Sequence, residues 1–247
     1  MRQRGVGLLL LSCVWLLVDI SPDTCYAYCQ KRQNLSNRKT RNQRVFVIDE
    51  RLAVIRKESN IKSTVVRRLS IGRPVIVLSY RPAIGGEAGF YRVAVTRRTS
   101  GWIHEGALAF ANRKGDDLRL ASLIENDYEG FDRLKLCRLF EDHFSNSTLL
   151  PKIMLILGGE AEKSAAELTQ RKRSLINRSG VGGSRIPLRD YLLSDSGLDR
   201  YNRLNIKFDF DANAMRYRYD GQIYRELVKQ FPHSEEGQEA QKRLQKK

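Results

Sequence analysis

Between Val45 and Leu108 the apolar residues fall in short runs, VFVI, LAVIR, STVVRRL, PVIVLSY, FYRVAV and GWIHEGAL, rich in β-branched and aromatic side chains and separated by turn-forming residues. Such runs fit strands, because branched and aromatic side chains pack on a pleated surface while Gly, Pro, Asn and Ser bend the chain between them. Beyond Leu108 the period changes. Leu120, Leu123, Ile124 and Tyr128 lie three and four residues apart, as do Leu136, Phe140 and Phe144, with a Gly break at 130 between the two sets. That is the spacing of helices with one buried face. The two periods predict a multidomain chain: an all-β part over 45–110, a small barrel, then FANRKGD as a linker and a mainly α part over 117–247.

Within the helical part, LCRLFEDHFSNS at 136–147 aligns without gaps with IYRELVKQFPHS at 223–234, an offset of 87 residues. Arg138 matches Arg225, Phe144 matches Phe231 and Ser147 matches Ser234, and a second helical segment follows each copy. Two helix–turn–helix pairs are the expectation, too far apart to form a continuous solenoid. Between them RKRSLINRSGVGGSRIP at 171–187 reads as an interhelical loop, since its glycines lack the Walker spacing and a preceding strand. NIKFDFDANAMRYRYDG at 205–221 alternates Ile206, Phe208 and Phe210, turns at DANA, and resumes with Met215, Tyr217 and Tyr219, the pattern of a β-hairpin.

The amino-terminal end sets the compartment. MRQRG, then GLLLLSCVWLLV, then DTCYA have the layout of a secretory signal over 1–27, cleaved after Ala27; lipidation at Cys13 is the alternative, with Leu10, Leu11 and Ser12 a poor lipobox. Residues 28–44 contain six basic side chains, Lys31, Arg32, Arg38, Lys39, Arg41 and Arg44, no acidic one and a single aliphatic, so they read as a disordered linker able to touch an anionic bilayer. The net charge is +16, and losing residues 1–27 removes two arginines and two aspartates and leaves it unchanged. In an exported protein that excess favours anionic envelope polymers and lipid headgroups over nucleic acid. Cys29 and Cys137 remain after cleavage, as a bridge, as free thiols or as an intermolecular bond.

Sites for chemistry are sparse. Asp209, Asp211, Asn213 and Asp220 have partial EF-hand spacing, but Ala214 stands where the loop needs Gly, and the hairpin accounts for the same residues. His104, His143 and His233 are the only histidines, no Ser lies in a nucleophile elbow, Cys137 sits on the apolar period of a helix, and no zinc spacing exists. No catalytic residue, metal or cofactor is therefore assigned. Tyr80, Tyr91, Trp102 and His104, all at strand ends or loop edges, are the candidate ligand contacts. Trp102 and His104 share a strand face. With Ile103 inward, Trp102 stands at the rim; with the face reversed, it plugs the barrel.

The order Leu52, Val54, Arg56, then Val65, Val66, Leu69, Gly72, then Val75 to Leu78, Phe90, Tyr91, Val93, Val95, and finally Gly101, Trp102, Ile103 and Leu108 resembles the bacterial SH3-type domain over 45–109. The sequence departs from that pattern at KESN, residues 57–60, and in the long loop RPAIGGEAG at 81–89. The two helical units resemble tetratricopeptide-type repeats, the second more closely through Pro232. These resemblances imply an SH3-like β-barrel followed by a repeat-like helical domain with one hairpin. They further imply a non-enzymatic exported protein that binds peptidoglycan through the barrel and a protein partner through the helices. The alternatives are an accessory or degenerate cell-wall hydrolase, and a structural barrel with all recognition in the helical part.

Overall fold

The β-branched runs become seven strands: β1 (Arg44–Val47), β2 (Val54–Arg56), β3 (Val65–Arg68), β4 (Pro74–Arg81), β5 (Phe90–Thr96), β6 (Thr99–His104) and β7 (Leu108–Ala109). The computed structural model describes residues 41–83, 88–179, 196–211 and 213–246. The signal segment, the basic residues Lys31 to Lys39, Cys13, Cys29 and residues 84–87 of the long β4–β5 loop lie outside them. The strands form one antiparallel sheet in the order β3-β2-β6-β5-β4-β1-β7. The expected closed barrel is not formed. The sheet has two edges, β3 and β7; β7 is two residues long and β3 exposes all four of its residues, so neither offers the other a ladder to close on.

Alternation along β1 explains how the sheet meets the helices. Val45 and Val47 belong to the sheet core with Ile55, Val75, Val77, Val93 and Ile103, whereas Ile48 joins the helical core and Phe46 packs on it, stacked on His143 at 3.7 Å. A run of four apolar residues marks a strand buried on both faces. The same split recurs at Leu108 and Ala109, and at Leu69 and Ile71. The described residues consequently belong to one compact unit rather than to separate domains. The described residues of the segments expected as linkers, 41–44 and 110–116, are part of it. Asn42 N donates to the Val77 carbonyl at 2.8 Å and Val77 N to the Gln43 carbonyl at 3.0 Å, so the sheet starts before residue 45. At the other boundary, Asp116 is 4% exposed and accepts from Phe110 N at 2.7 Å and from Arg113 Nε, pinning 110–116 as a tight corner.

Six helices lie among the described residues: α1 (Asp116–Asn126), α2 (Gly130–His143), α3 (Leu150–Ser179), α4 (Ser196–Asn202), α5 (Gln222–Gln230) and α6 (Glu235–Gln245). The 30-residue α3 is central and packs against α2, α5, α6 and the hairpin strand β9 (Arg216–Tyr219), which pairs with β8 (Phe208–Asp211). The loop predicted to start at 171 is helical as far as Ser179, because RKRSLINRS contains no Gly or Pro; its remainder lies outside the described residues. The two aligned segments end alike. Phe144 and Phe231 cap α2 and α5, and the backbone N–H groups of Ser147 and Ser234 close onto the carbonyls of those phenylalanines at 2.9 and 3.2 Å. Among the described residues no helix is long and apolar enough to cross a membrane.

Candidate functional site

Trp102 owes its position to the glycine before it. A Cβ on Gly101 would lie 2.5 Å from Ile55 Cγ2 and 2.6 Å from the Arg56 carbonyl oxygen, so only glycine lets β2 approach β6 this closely. The register then places Trp102 opposite Arg56 on one side and Arg92 on the other. Ile103 is fully buried in the sheet core and Trp102 is half-buried on the opposite face, which selects the rim reading over the plug. His104 shares that face, but its Nδ1 accepts the Gly106 N–H at 3.0 Å and caps the single 3-10 turn Glu105–Ala107; its ring meets Phe90 edge-on at 5.8 Å.

Tyr80 and Tyr91 are on the other side of the sheet. A bulge between Val77 and Ser79 shifts the parity of β4, turning Tyr80 inward opposite Tyr91, with ring centroids 4.5 Å apart. Tyr80 Oη donates to Glu105 Oε2 at 2.7 Å, and Gly89 N donates to Glu105 Oε1 at 3.2 Å. Arg113 Nη1 donates to Tyr91 Oη at 3.2 Å while Arg113 Nε reaches Asp116 at 2.9 Å. Arg119 completes the chain by donating to the Leu108 carbonyl and pairing with Asp116 at 3.3 Å. Burial, reinforced by the Glu105 hydrogen bond, holds the Tyr80 phenol well above its ordinary range, and burial raises Tyr91. These two tyrosines are neutral struts between the β4–β5 loop, the 3-10 turn and the corner into α1. The four candidate residues therefore divide into an outer pair, Trp102 and His104, and an inner pair, Tyr80 and Tyr91.

The outer face extends from Trp102 toward a cleft of ≈200 Å³ lined by Glu58, Ser59, Asn60, Arg81, Pro82, Ala88 and Phe90. Arg81 and Phe90 lie in the row of His104, two residues along from the Arg92–Trp102–Arg56 row, and Arg81 Nη1 holds Ser59 Oγ at 2.7 Å. Between Arg51 and His104 the chain carries eleven Lys or Arg against two Glu, so the field over this face is positive. Arg56, Arg81 and Arg92 were not among the candidate ligand contacts read from the sequence, Arg56 entering only in the SH3-type pattern. The charge excess was a usable signal, whereas the Arg56–Trp102 pairing joins strands 46 residues apart and is set by the fold.

A second concavity, a groove of ≈900 Å³, runs between α3 and β9 over a floor of Ala165, Ala166, Phe210, Tyr217 and Tyr219. Of the residues with partial EF-hand spacing, Asp211 serves the hairpin turn and Asp220 the start of α5. Asp211 Oδ1 accepts from Asn213 N and Ala214 N at 3.1 and 3.0 Å, Asp211 pairs with Arg218 at 2.6 Å, and Asp220 Oδ1 accepts from Gln222 N at 2.9 Å. Among the described residues no group of three His, Cys, Asp or Glu is arranged to hold a metal ion. Cys137 is a free thiol, wholly buried on α2. Compared with protein-family models, with curated proteins and with solved structures, the chain has no match.

Proposed function

We propose that the protein is an exported, non-enzymatic binding module that holds an anionic polymer of the cell envelope, peptidoglycan being the expected one, across the sheet face that carries Trp102. The observation behind this reading is a half-buried indole set between Arg56 and Arg92 on a strongly cationic face. A sugar ring or peptide plane lies on such an indole while flanking carboxylates reach the guanidinium groups. The cleft beside Arg81 gives a shorter side branch a place. The signal-like residues 1–27 support export to the periplasm or envelope, and the strand pattern over 45–109 supports an SH3-type module.

The test is co-sedimentation with purified peptidoglycan at low and high salt. Trp102→Ala is expected to weaken binding about tenfold, in the range of a buried aromatic anchor, and a joint Arg56→Ala, Arg92→Ala change to weaken it and flatten its salt dependence. Binding unaffected by all three substitutions refutes the assignment of this face, and release of soluble fragments moves the reading to a hydrolase. A second reading, recognition of a protein partner by the helical part, is favoured by the groove between α3 and β9. It predicts partner capture that survives Trp102→Ala.

A further inference from the structure

The β2–β3 hairpin projects apolar side chains that nothing in the protein covers. Ile61, Val65 and Val66 are 65%, 47% and 45% exposed; they are three of the five large hydrophobic side chains left exposed among the described residues, and they fall within six positions. Folding does not leave them there by looseness of the turn. Ser63 N donates to the Asn60 carbonyl at 3.1 Å, Lys62 N to Asn60 Oδ1 at 2.8 Å, and Lys57 N to the Thr64 carbonyl at 3.1 Å, so Ile61 is held at the tip of a defined loop. Arg56 Nη1 on the Ser63 carbonyl and Arg81 Nη1 on Ser59 Oγ brace the loop from the sheet. Lys57 and Lys62 flank the tip, and Arg67 and Arg68 continue along β3 opposite Ile55 and Val54; all four are exposed and none is in an ion pair among the described residues, with Glu58 as the one acid between Lys57 and Arg68.

We infer that this hairpin is a membrane-contact element that seats the protein on an anionic lipid bilayer, Ile61 entering the headgroup–acyl boundary and the four cations engaging lipid phosphates. An apolar tip flanked by basic side chains, with more of them along the exposed edge behind it, is the arrangement that such an interface stabilises. The competing occupant of an edge strand is another strand, but a strand added along β3 would leave Ile61, beyond the strand end, in water. Ile61 and these four cations are not among the residues assigned to the polymer site, although Glu58, Ser59 and Asn60 of the same loop line its cleft, so the hairpin adds a second contact with the envelope beside the polymer site proposed above.

The experiment uses the full chain carrying Ile61→Trp, with wild type as the fluorescence background, and vesicles of phosphatidylcholine alone or of equal parts phosphatidylcholine and phosphatidylglycerol, each with brominated acyl chains. The added indole is expected to shift to the blue and be quenched on the anionic vesicles only, and adding Lys62→Gln, Arg67→Gln and Arg68→Gln is expected to lower vesicle partitioning through the hairpin about fivefold for each cation lost. An indole at 61 that stays unquenched on anionic vesicles overturns the inference, even where the chain sediments with them through residues 28–44. So does self-association without lipid that Val66→Asp abolishes, since the hairpin is then an edge between copies.

Discussion

Gly158 and Gly159, adjacent on the central helix α3, should respond in opposite directions to the same substitution. An alanine in a helix interior is about 1 kcal/mol more favourable than glycine, so propensity alone predicts stabilisation at both. At Gly158, however, a Cβ would lie 2.2 Å from Tyr224 Cε1, 2.7 Å from Cζ and 2.8 Å from Cδ1. The ring must retreat by about 1.3 Å to reach an ordinary carbon–carbon separation. Tyr224 is fully buried, donates from its hydroxyl to Glu162 at 3.0 Å and accepts there from Arg243 at 3.0 Å, so it cannot swing aside without breaking those bonds. Overpacking of this kind costs about 1–3 kcal/mol, and the severity of the contact favours the upper end. Gly158→Ala is therefore expected to destabilise by about 1–2 kcal/mol net of propensity, lowering Tm by about 2–8 °C. At Gly159 the nearest atom is Arg243 Nη1 at 3.4 Å, the end of a flexible side chain, so Gly159→Ala should stabilise by about 0.5–1 kcal/mol. Urea unfolding followed by far-ultraviolet circular dichroism reads both, and in a Tyr224→Ala background Gly158→Ala should lose its penalty. Two alanines that stabilise equally would refute the packing of Tyr224 on Gly158.

Asp49 joins the sheet to the helices. Burial pushes its carboxyl up, but hydrogen bonds from Arg51 and Tyr128 more than offset this and hold it below its ordinary range. A depressed folded value stabilises above the unfolded pKa of about 3.8 and is lost as pH falls through the folded one, so Asp49→Asn should cost about 1–3 kcal/mol at neutral pH, with the gap to wild type closing below about pH 4 in urea titrations; a gap independent of pH excludes this linkage. Burial raises the Cys137 thiol well above its usual range, and mass spectrometry should find it unmodified by a thiol reagent in the native chain and modified in urea; native-state labelling at the rate of an exposed thiol contradicts its position. Glu160, 5% exposed, accepts from Gly130 N at 2.8 Å and from Arg133 Nη1 at 3.0 Å, so Glu160→Ala should cost about 3–5 kcal/mol and Glu160→Gln clearly less. Equal costs in denaturant titration would mean that the acceptor oxygen kept by Gln recovers nothing and that the charge carries the whole effect.

Elements set by local period were legible in the chain. The six β-branched runs became strands, the hairpin at 205–221 formed, and the matched segments 136–147 and 223–234 end in the same Phe-capped turn. What escaped depends on pairings distant in sequence. VFVI gave a strand, but that its four consecutive apolar residues are shared between two cores follows only from the fold, and this is what fuses sheet and helices. The bulge at Val77 to Ser79 reverses the parity of Tyr80 and so separates it from Trp102. Nothing local in PVIVLSY announces that extra residue, because a bulge is fixed by the partner strand. Alternation with Ile103 left Trp102 either at the rim or as a plug, and the buried Ile103 decides for the rim; its arginine neighbours follow from β2 crossing beside Gly101.

Val47 and Ile48, or Leu108 and Ala109, are neighbours in the chain whose side chains serve different cores. Excision at residue 110 would strip Ile48, Ile71 and Ala109 of their helical neighbours, so the sheet is not a portable cassette. Unfolding of either half removes a wall of the other, and the two should melt in one cooperative transition. A ligand that bound the sheet would for the same reason protect α3 from proteolysis, and one that bound the helices would stabilise the sheet.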